Sequence, residues 1–385
     1  MVEGTAVVAD EEQEHAPLLQ QDFLATEVHA NATQANDLQQ FLSHMGDGAE
    51  TVLQPLTIGI ELTVVTHMVQ LTIEQHALGI AGHILIGEVH LQVGLEGAVG
   101  NEGESLSKTL EYMLADWAAA QAGKAVLKSH SDNSELAQQV EYLEKRSHGY
   151  PQLYDKRVGF MRGKNSDGSF ESLDGFNPQH QTRAFTEGNA WQYLWLVPHD
   201  VEGLMQMLGG RDIALKRLDS LFVADSQLNE EAQPDISGLI GQYAHGNEPS
   251  HHIVYLYALM GQPRKTAKLV RQIQRELYTD QPAGLCGNED VGQMSAWYVL
   301  SALGFYQVEP CGGRYVIGSP LVKDATLHVG NGKTFAIHVH GASEKAIYIK
   351  KALLNGKPLG NPKQALILRH EDIVKGGTFD IYMTK

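Results

Sequence analysis

The chain has 385 residues, with 46 Asp and Glu against 29 Lys and Arg, a formal net charge of −17 at pH 7. That balance disfavours nucleic acid as a partner, since phosphate backbones are gripped by clustered cations. Two cysteines, Cys286 and Cys311, cannot build a disulfide framework and leave the redox compartment open. No apolar run reaches the roughly 20 residues that a membrane helix needs.

The charge is unevenly placed. Residues 1–100 hold 14 Asp and Glu and no Lys, Arg, Trp or Tyr, whereas 101–385 have a balance of only −3. Ordinary domains mix both signs, so 1–101 is read as an atypical segment of different origin. It is expected to be weakly helical or disordered, or to come from a non-native reading frame, and to have no packed core. Its N-terminus lacks the basic start and apolar core of a signal peptide, and the compartment stays open. Within it, Thr57–Val65 and His83–Val93 read as strands. His67, His76, His83 and His90 recur at near-regular spacing, but no carboxylate completes a metal-ligand pattern, so they read as scattered polar positions.

From residue 102 the texture changes. Glu104–Gln121 has Leu106, Leu110, Met113, Leu114 and Trp117 at helical spacing, and Ser134–Arg146 repeats the pattern with Leu136, Val140 and Leu143. Gly159–Phe170 has turn chemistry. Ala190–Gln206, Arg211–Phe222, Ser250–Met260, Pro263–Leu277 and Ser295–Leu303 are expected helices. After Gly304, Arg314–Ile317, Thr326–Val329, Phe335–Val339, Ala346–Ile349 and Phe379–Tyr382 alternate as strands. Asn331-Gly332, Asn355-Gly356 and Gly376-Gly377 are the turn signals between them. The spacing thus predicts a helical region over 102–305 and a small β unit over 306–385.

Three short motifs stand just before apolar helices: Thr186-Glu-Gly-Asn-Ala-Trp-Gln-Tyr, Gly246-Asn-Glu-Pro-Ser-His-His, and Gly287-Asn-Glu-Asp-Val-Gly. Each carries an acid, Glu187, Glu248 or Asp290, at a helix start, where backbone N–H groups are unpaired. Taken singly, such an acid is most often an N-cap. If alternate helices run parallel, the three starts gather on one face and the acids share a pocket. That suits glycoside hydrolysis, which needs one acid to protonate the leaving oxygen and one carboxylate to handle water. Oxygen ligands such as Asn247 and Glu248 suit a hard cation. Trp191 and Trp297 could stack on a sugar face, although core packing is the commoner fate of a tryptophan. Of His251 and His252, one reads as structural and one as a sugar contact.

Glu104–Trp117, Gly159–Gly168, Thr186–Tyr193, Gly246–His252, Gly287–Gly304 and the stretch from Tyr315 through Phe379 resemble the signature segments of the family 92 glycoside hydrolases. The resemblance covers about 102–385. It implies an exo-acting, inverting, calcium-dependent α-mannosidase acting on terminal α-mannosides of glycans, with α-1,2 the expected linkage. It also implies a mainly α fold, a partial (α/α)6 toroid followed by a small antiparallel β unit. On matching positions, Glu187 would be the general acid and Asp290 the base. Asn247 and Glu248, with Asp290, would hold Ca2+, which in that family grips the O2 and O3 hydroxyls of the terminal mannose. Trp191, His251, His252 and Glu289 would contact substrate. Some members carry Asp where Asn288 stands, so this position supplies no spare base here.

Members of that family are much longer and begin with a β-sandwich and further toroid helices, neither of which residues 1–100 resemble. The chain is therefore expected to be an incomplete catalytic half. Two other readings stay open: a toroidal glycosidase for a different sugar, and a non-catalytic fragment that binds glycan or calcium.

Overall fold

A computed structural model describes residues 103–385 except 130, 166 and 331. The expectations for 1–101, its two strands and four spaced histidines included, lie outside the described residues. No helix among the described residues is long and apolar enough to cross a membrane.

Helix α1 (Ser105–Leu127) packs along α2 (Ser134–Ser147). Asn133 caps α2 by accepting from Leu136 N at 3.0 Å. A Cβ on Gly123 would come within 2.5 Å of Val140 Cγ2, so glycine is what lets the two helices touch there. Asp116 and Arg146 form an ion pair across the same seam. A 3-10 turn (Tyr150–Leu153) and a two-stranded ribbon, β1 (Tyr154–Asp155) with β2 (Phe160–Met161), lead into the loop that carries the first motif.

The single helix expected over Ala190–Gln206 is two. Helix α3 (Ala190–Tyr193) starts from a capping box between Asn189 and Gln192, and α4 (Val201–Met207) starts at Asp200, which accepts from Gly203 N at 2.8 Å. Pro198 lies between them and lacks the N–H that a continuous helix needs. Helix α5 (Arg211–Leu221) follows, then the ribbon β3 (Leu239–Ile240) with β4 (Tyr243–Ala244). The second motif opens with a 3-10 turn (Glu248–Ser250) and runs into α6 (Ile253–Leu259). Helix α7 (Pro263–Glu276) starts on a proline, and α8 (Gln293–Leu303) ends at Gly304 with φ +103°.

The C-terminal part is β-rich, as the alternation predicts. Strand β5 (Phe305–Gln307) pairs with β6 (Arg314–Ile317), and β6 with β11 (Ile367–Arg369), all antiparallel. A second sheet has the order β10-β9-β12-β8-β7. It comprises β7 (Asp324–Val329), β8 (Lys333–His340), β9 (Tyr348–Leu354), β10 (Lys357–Pro358) and β12 (Gly377–Thr384). Its pairings are antiparallel except that β12 runs parallel to β8, so this sheet is mixed. The crossover that permits the parallel pair includes β11 and a short helix, α9 (His370–Val374), neither of which the alternation reveals. Asn355 (φ +50°) and Gly356 (φ +77°) make the tight turn between β9 and β10.

Two apolar cores result. One lies under the helices and the three motifs, around Trp195, Tyr255, Tyr257 and Trp297. The other lies under the mixed sheet, around Phe305, Phe335 and Phe379.

Candidate active site

The three motifs are brought together by close backbone contact. A Cβ on Gly287 would lie 2.5 Å from the Gly246 carbonyl oxygen, and one on Gly246 would lie 2.0 Å from Ser237 Oγ. Glycine at 287 lets the second and third motif loops pass backbone against backbone, and glycine at 246 leaves room for the Ser237 side chain. The first motif is tied to the second by Asn247, whose Nδ2 donates to Glu187 O at 3.0 Å and to Glu187 Oε2 at 3.2 Å. It is also held from α1, since Thr186 N donates to Ser107 Oγ at 2.9 Å. Tyr193 gives its hydroxyl proton to Thr186 O at 2.7 Å, and Glu187 N donates to Gln233 Oε1 at 3.1 Å.

Around this junction is a cavity of ≈ 810 Å³, with Glu187, Asn247, Glu248, His251 and His252 in its walls. Helix α1 adds Glu111, Leu114, Ala115 and Ala118, and α8 adds Gln293, Ala296 and Leu300. Glu187 and Glu248 thus share one hollow. Asp290 is not among the lining residues. It is exposed, with φ +50°, and lies near enough to Glu248 for its charge to bear on the Glu248 carboxyl. Burial raises the Glu248 pKa, and the charges of Asp290 and then Glu187 raise it further. Glu111 is raised the same way, by burial of its carboxyl first and by Glu187 and Glu104 after that. As a residue Glu111 is nonetheless exposed, so solvent screens much of this push.

His251 and His252 are buried and neutral. His251 Nε2–H donates to His245 O at 2.9 Å, which leaves Nδ1 to accept from Gln293 Nε2 at 3.1 Å. His252 Nε2–H donates to Trp195 O at 2.7 Å. Burial, the largest cause, pushes both down to about 4. They reach the cavity wall as fixed neutral rings, and each spends its N–H on the fold.

Two expected substrate contacts are elsewhere. Trp191 is not in the cavity wall; it packs edge-on against Phe160, ring centroids 5.0 Å apart, with Arg217 over its face at 5.4 Å. Glu289 is a helix cap. Its Oε1 accepts from Ser295 N and its Oε2 from Ser295 Oγ, both at 2.9 Å, which satisfies the third N–H of α8. Trp297 does border the cavity, but at 0% exposure it is packed in its wall, and its Nε1 donates to His251 O at 3.0 Å. Asn288 donates to Asp235 Oδ1 at 3.0 Å. Nothing in the motifs marks Glu111, Gln293 or Asp235. The signal for Glu111 is its place one turn from Leu114 and Ala115, an acid on an otherwise apolar face of α1.

The model of the glycosyl hydrolase family 92 catalytic domain matches residues 90–385. The chain belongs to this family. The match begins somewhat before residue 102, where the resemblance of single motifs sets in. A family 92 α-mannosidase from Bacteroides thetaiotaomicron, solved in complex with mannoimidazole, is 36% identical with a TM-score of 0.66, over 74% of this chain and 36% of its own. A family 92 inverting mannosidase from the same organism is 36% identical with a TM-score of 0.63, over 74% of this chain and 38% of its own. An uncharacterized secreted glycosidase of Arthroderma benhamiae is 26% identical over 302 residues, 73% of this chain and 36% of that protein. This family 92 chain therefore spans little more than a third of the length of the relatives it matches.

Proposed function

We propose that the cavity is the catalytic half of an exo-acting, inverting α-mannosidase that cleaves terminal α-mannosides, α-1,2-linked ones foremost, from glycans with the help of calcium. The observation that carries this is the meeting of Glu187 and Glu248 in one hollow, with Asp290 beside Glu248. Helices α1–α8 are read as part of an (α/α)6 toroid, a geometry that would gather the helix starts around the one cavity that residues of the first two motifs and of α8 line.

In this reading Glu187, positioned by Asn247 and by the bond from its own N–H to Gln233, is the acid that delivers a proton to the glycosidic oxygen. Asp290, exposed and acceptor-rich, orients a water and takes its proton. Inversion needs about 6.5–9.5 Å between the two carboxyls, so that water and sugar fit between them. His251 and His252, neutral and fixed, limit the sugar's rotation without adding charge.

The residues fit a hard cation in kind. Asn247 commits only its nitrogen to Glu187, which leaves Oδ1 as an oxygen donor, and Glu248 and Asp290 add two carboxylates that repel each other without a counter-charge. Three donors are fewer than the six to eight that calcium takes. Among the described residues no three His, Cys, Asp or Glu side chains are grouped to hold a metal by themselves. Substrate hydroxyls and water would complete the shell. When bound, calcium would position the terminal sugar and offset the charge of its carboxylate ligands.

The test is hydrolysis of α-1,2-mannobiose followed by proton NMR, with α-glucosides as controls. β-Mannose as the first-formed product, inhibition by chelator, and about 10²–10⁴-fold losses in Glu187→Gln and Asp290→Asn with folding intact are the expected results. α-Mannose as the first product would end the inverting reading, and turnover of α-glucosides alone would end the mannosidase reading.

A further inference from the structure

We infer that Glu111 is a specificity residue: it accepts a hydrogen bond from a hydroxyl of the sugar on the leaving side of the cleaved bond. This rests on the glycosidase reading above and adds to it a contact on a wall that none of the three motifs supplies.

The α1 wall is built from Glu111, Leu114, Ala115 and Ala118, a spacing of three, four and seven that puts them on one helix face. Glu111 is the single polar side chain among these four, and the two alanines leave room in front of the helix. Among the described residues no Lys or Arg lines the cavity, so none of them neutralises Glu111 there. Its hydrogen bonding is also largely unspent. Tyr193 has one hydroxyl proton, directed at Thr186 O at 2.7 Å; its approach to Glu111 Oε1 is 3.4 Å. A carboxylate offers about four lone-pair sites, so acceptor capacity remains facing the cavity. The ligand chemistry that fills such sites without bringing charge is a sugar hydroxyl.

Position decides which sugar. The Tyr193 hydroxyl lies between Glu111 Oε1, at 3.4 Å, and the carbonyl of Thr186, the residue before Glu187, and the charge of Glu187 bears on Glu111 directly. Glu187 works at the glycosidic oxygen, so the carboxylate beside it meets the leaving sugar. The terminal sugar lies towards Asn247 and Glu248.

The experiment is calorimetric titration of two probes, α-1,2-mannobiose and methyl α-mannoside, into the full chain in a Glu187→Gln background that prevents turnover. Glu111→Leu, similar in size and without an acceptor, is expected to weaken mannobiose about tenfold or more and methyl α-mannoside less than twofold. Glu111→Gln keeps an acceptor oxygen and is expected to recover most of the loss, which a merely structural role would not do selectively. Equal weakening of both probes, or no weakening of mannobiose with circular dichroism unchanged, would overturn the proposal. If neither probe binds before Glu111 is altered, the glycosidase reading itself has failed, and Glu111 loses its role with it.

Discussion

Glu289 and Asp290 are adjacent acids with opposite assignments, and stability measurements separate them. In Glu289→Ala two accepted hydrogen bonds disappear, one from Ser295 N at the start of α8 and one from Ser295 Oγ. Loss of a helix cap costs about 0.5–2 kcal/mol. Ser295 is 6% exposed, so its hydroxyl is left without a partner where water is scarce, a further cost on the order of 1 kcal/mol. We expect Glu289→Ala to lose about 1.5–3 kcal/mol and Glu289→Gln, which keeps one acceptor, about 1 kcal/mol. Asp290 is exposed, so Asp290→Asn should stay within about 0.5 kcal/mol of the parent. Urea unfolding followed by tryptophan fluorescence reads this well, because Trp297 is fully buried on α8 itself. Below saturation, mannoside binding by Glu289→Ala should fall only as far as its folded fraction falls. A stable Glu289→Ala that no longer binds sugar would return Glu289 to the substrate contacts and refute the cap argument.

Three further outcomes follow from the same structure. His251 and His252 have folded-state pKa values of about 4 against an ordinary 6.5. The stability they contribute as neutral rings is complete above about pH 6.5 and is lost as pH falls towards 4, at most about 3 kcal/mol each; their imidazole proton resonances should not titrate between pH 8 and 5. Asp155, 1% exposed, accepts from Arg157 Nη2 and Arg162 Nη1, each at 2.7 Å, and chiefly the Arg157 contact holds its pKa well below the usual range. Its contribution is complete above about pH 4 and lost below it, and Asp155→Ala, which strands the buried Arg162 guanidinium, should cost about 3 kcal/mol by urea unfolding. Val291 is 85% exposed with φ +55°, a region that β-branched residues resist, so Val291→Gly should raise stability by about 0.5–1 kcal/mol in the same assay.

The helical half and the β-rich end are legible in the sequence because their periods differ, 3.6 against 2, and because α7 and β7 each bury one clean face. The parallel placement of β12 beside β8 is not, since pairing across a long crossover leaves no local mark. Asn189 and Asp200 mark both helix starts in Ala190–Gln206, yet the apolar run Leu194–Val197 hides the break. In the site, the helix-start pattern picks out Glu187 and Glu248, and both line one hollow; Gly246 and Gly287, where the second and third loops touch, lie within the motifs as well. The same rule cannot tell Glu289 from Asp290. Glu289 turns its carboxylate back onto its own helix, whereas Asp290 takes a left-handed φ and is exposed.

That φ choice is a common feature of the proposed chemistry. Glu187 stands at φ +46° and Asp290 at φ +50°, and Val291 and Gly292 continue the left-handed run. A side-chain oxygen on a residue of negative φ just before a helix folds onto the free N–H groups and is consumed as a cap, as those of Asn189 and Asp200 are. Left-handed backbone costs roughly 1–2 kcal/mol per residue, and at Glu187 and Asp290 it accompanies a carboxylate that does not cap its helix. The helix N–H groups then have to be met by other side chains. Asn189 meets them on α3 and Glu289 on α8. Each proposed catalytic acid therefore has a capping partner next to it or two residues on, and removing that partner should loosen the acid's helix before it alters the acid's chemistry.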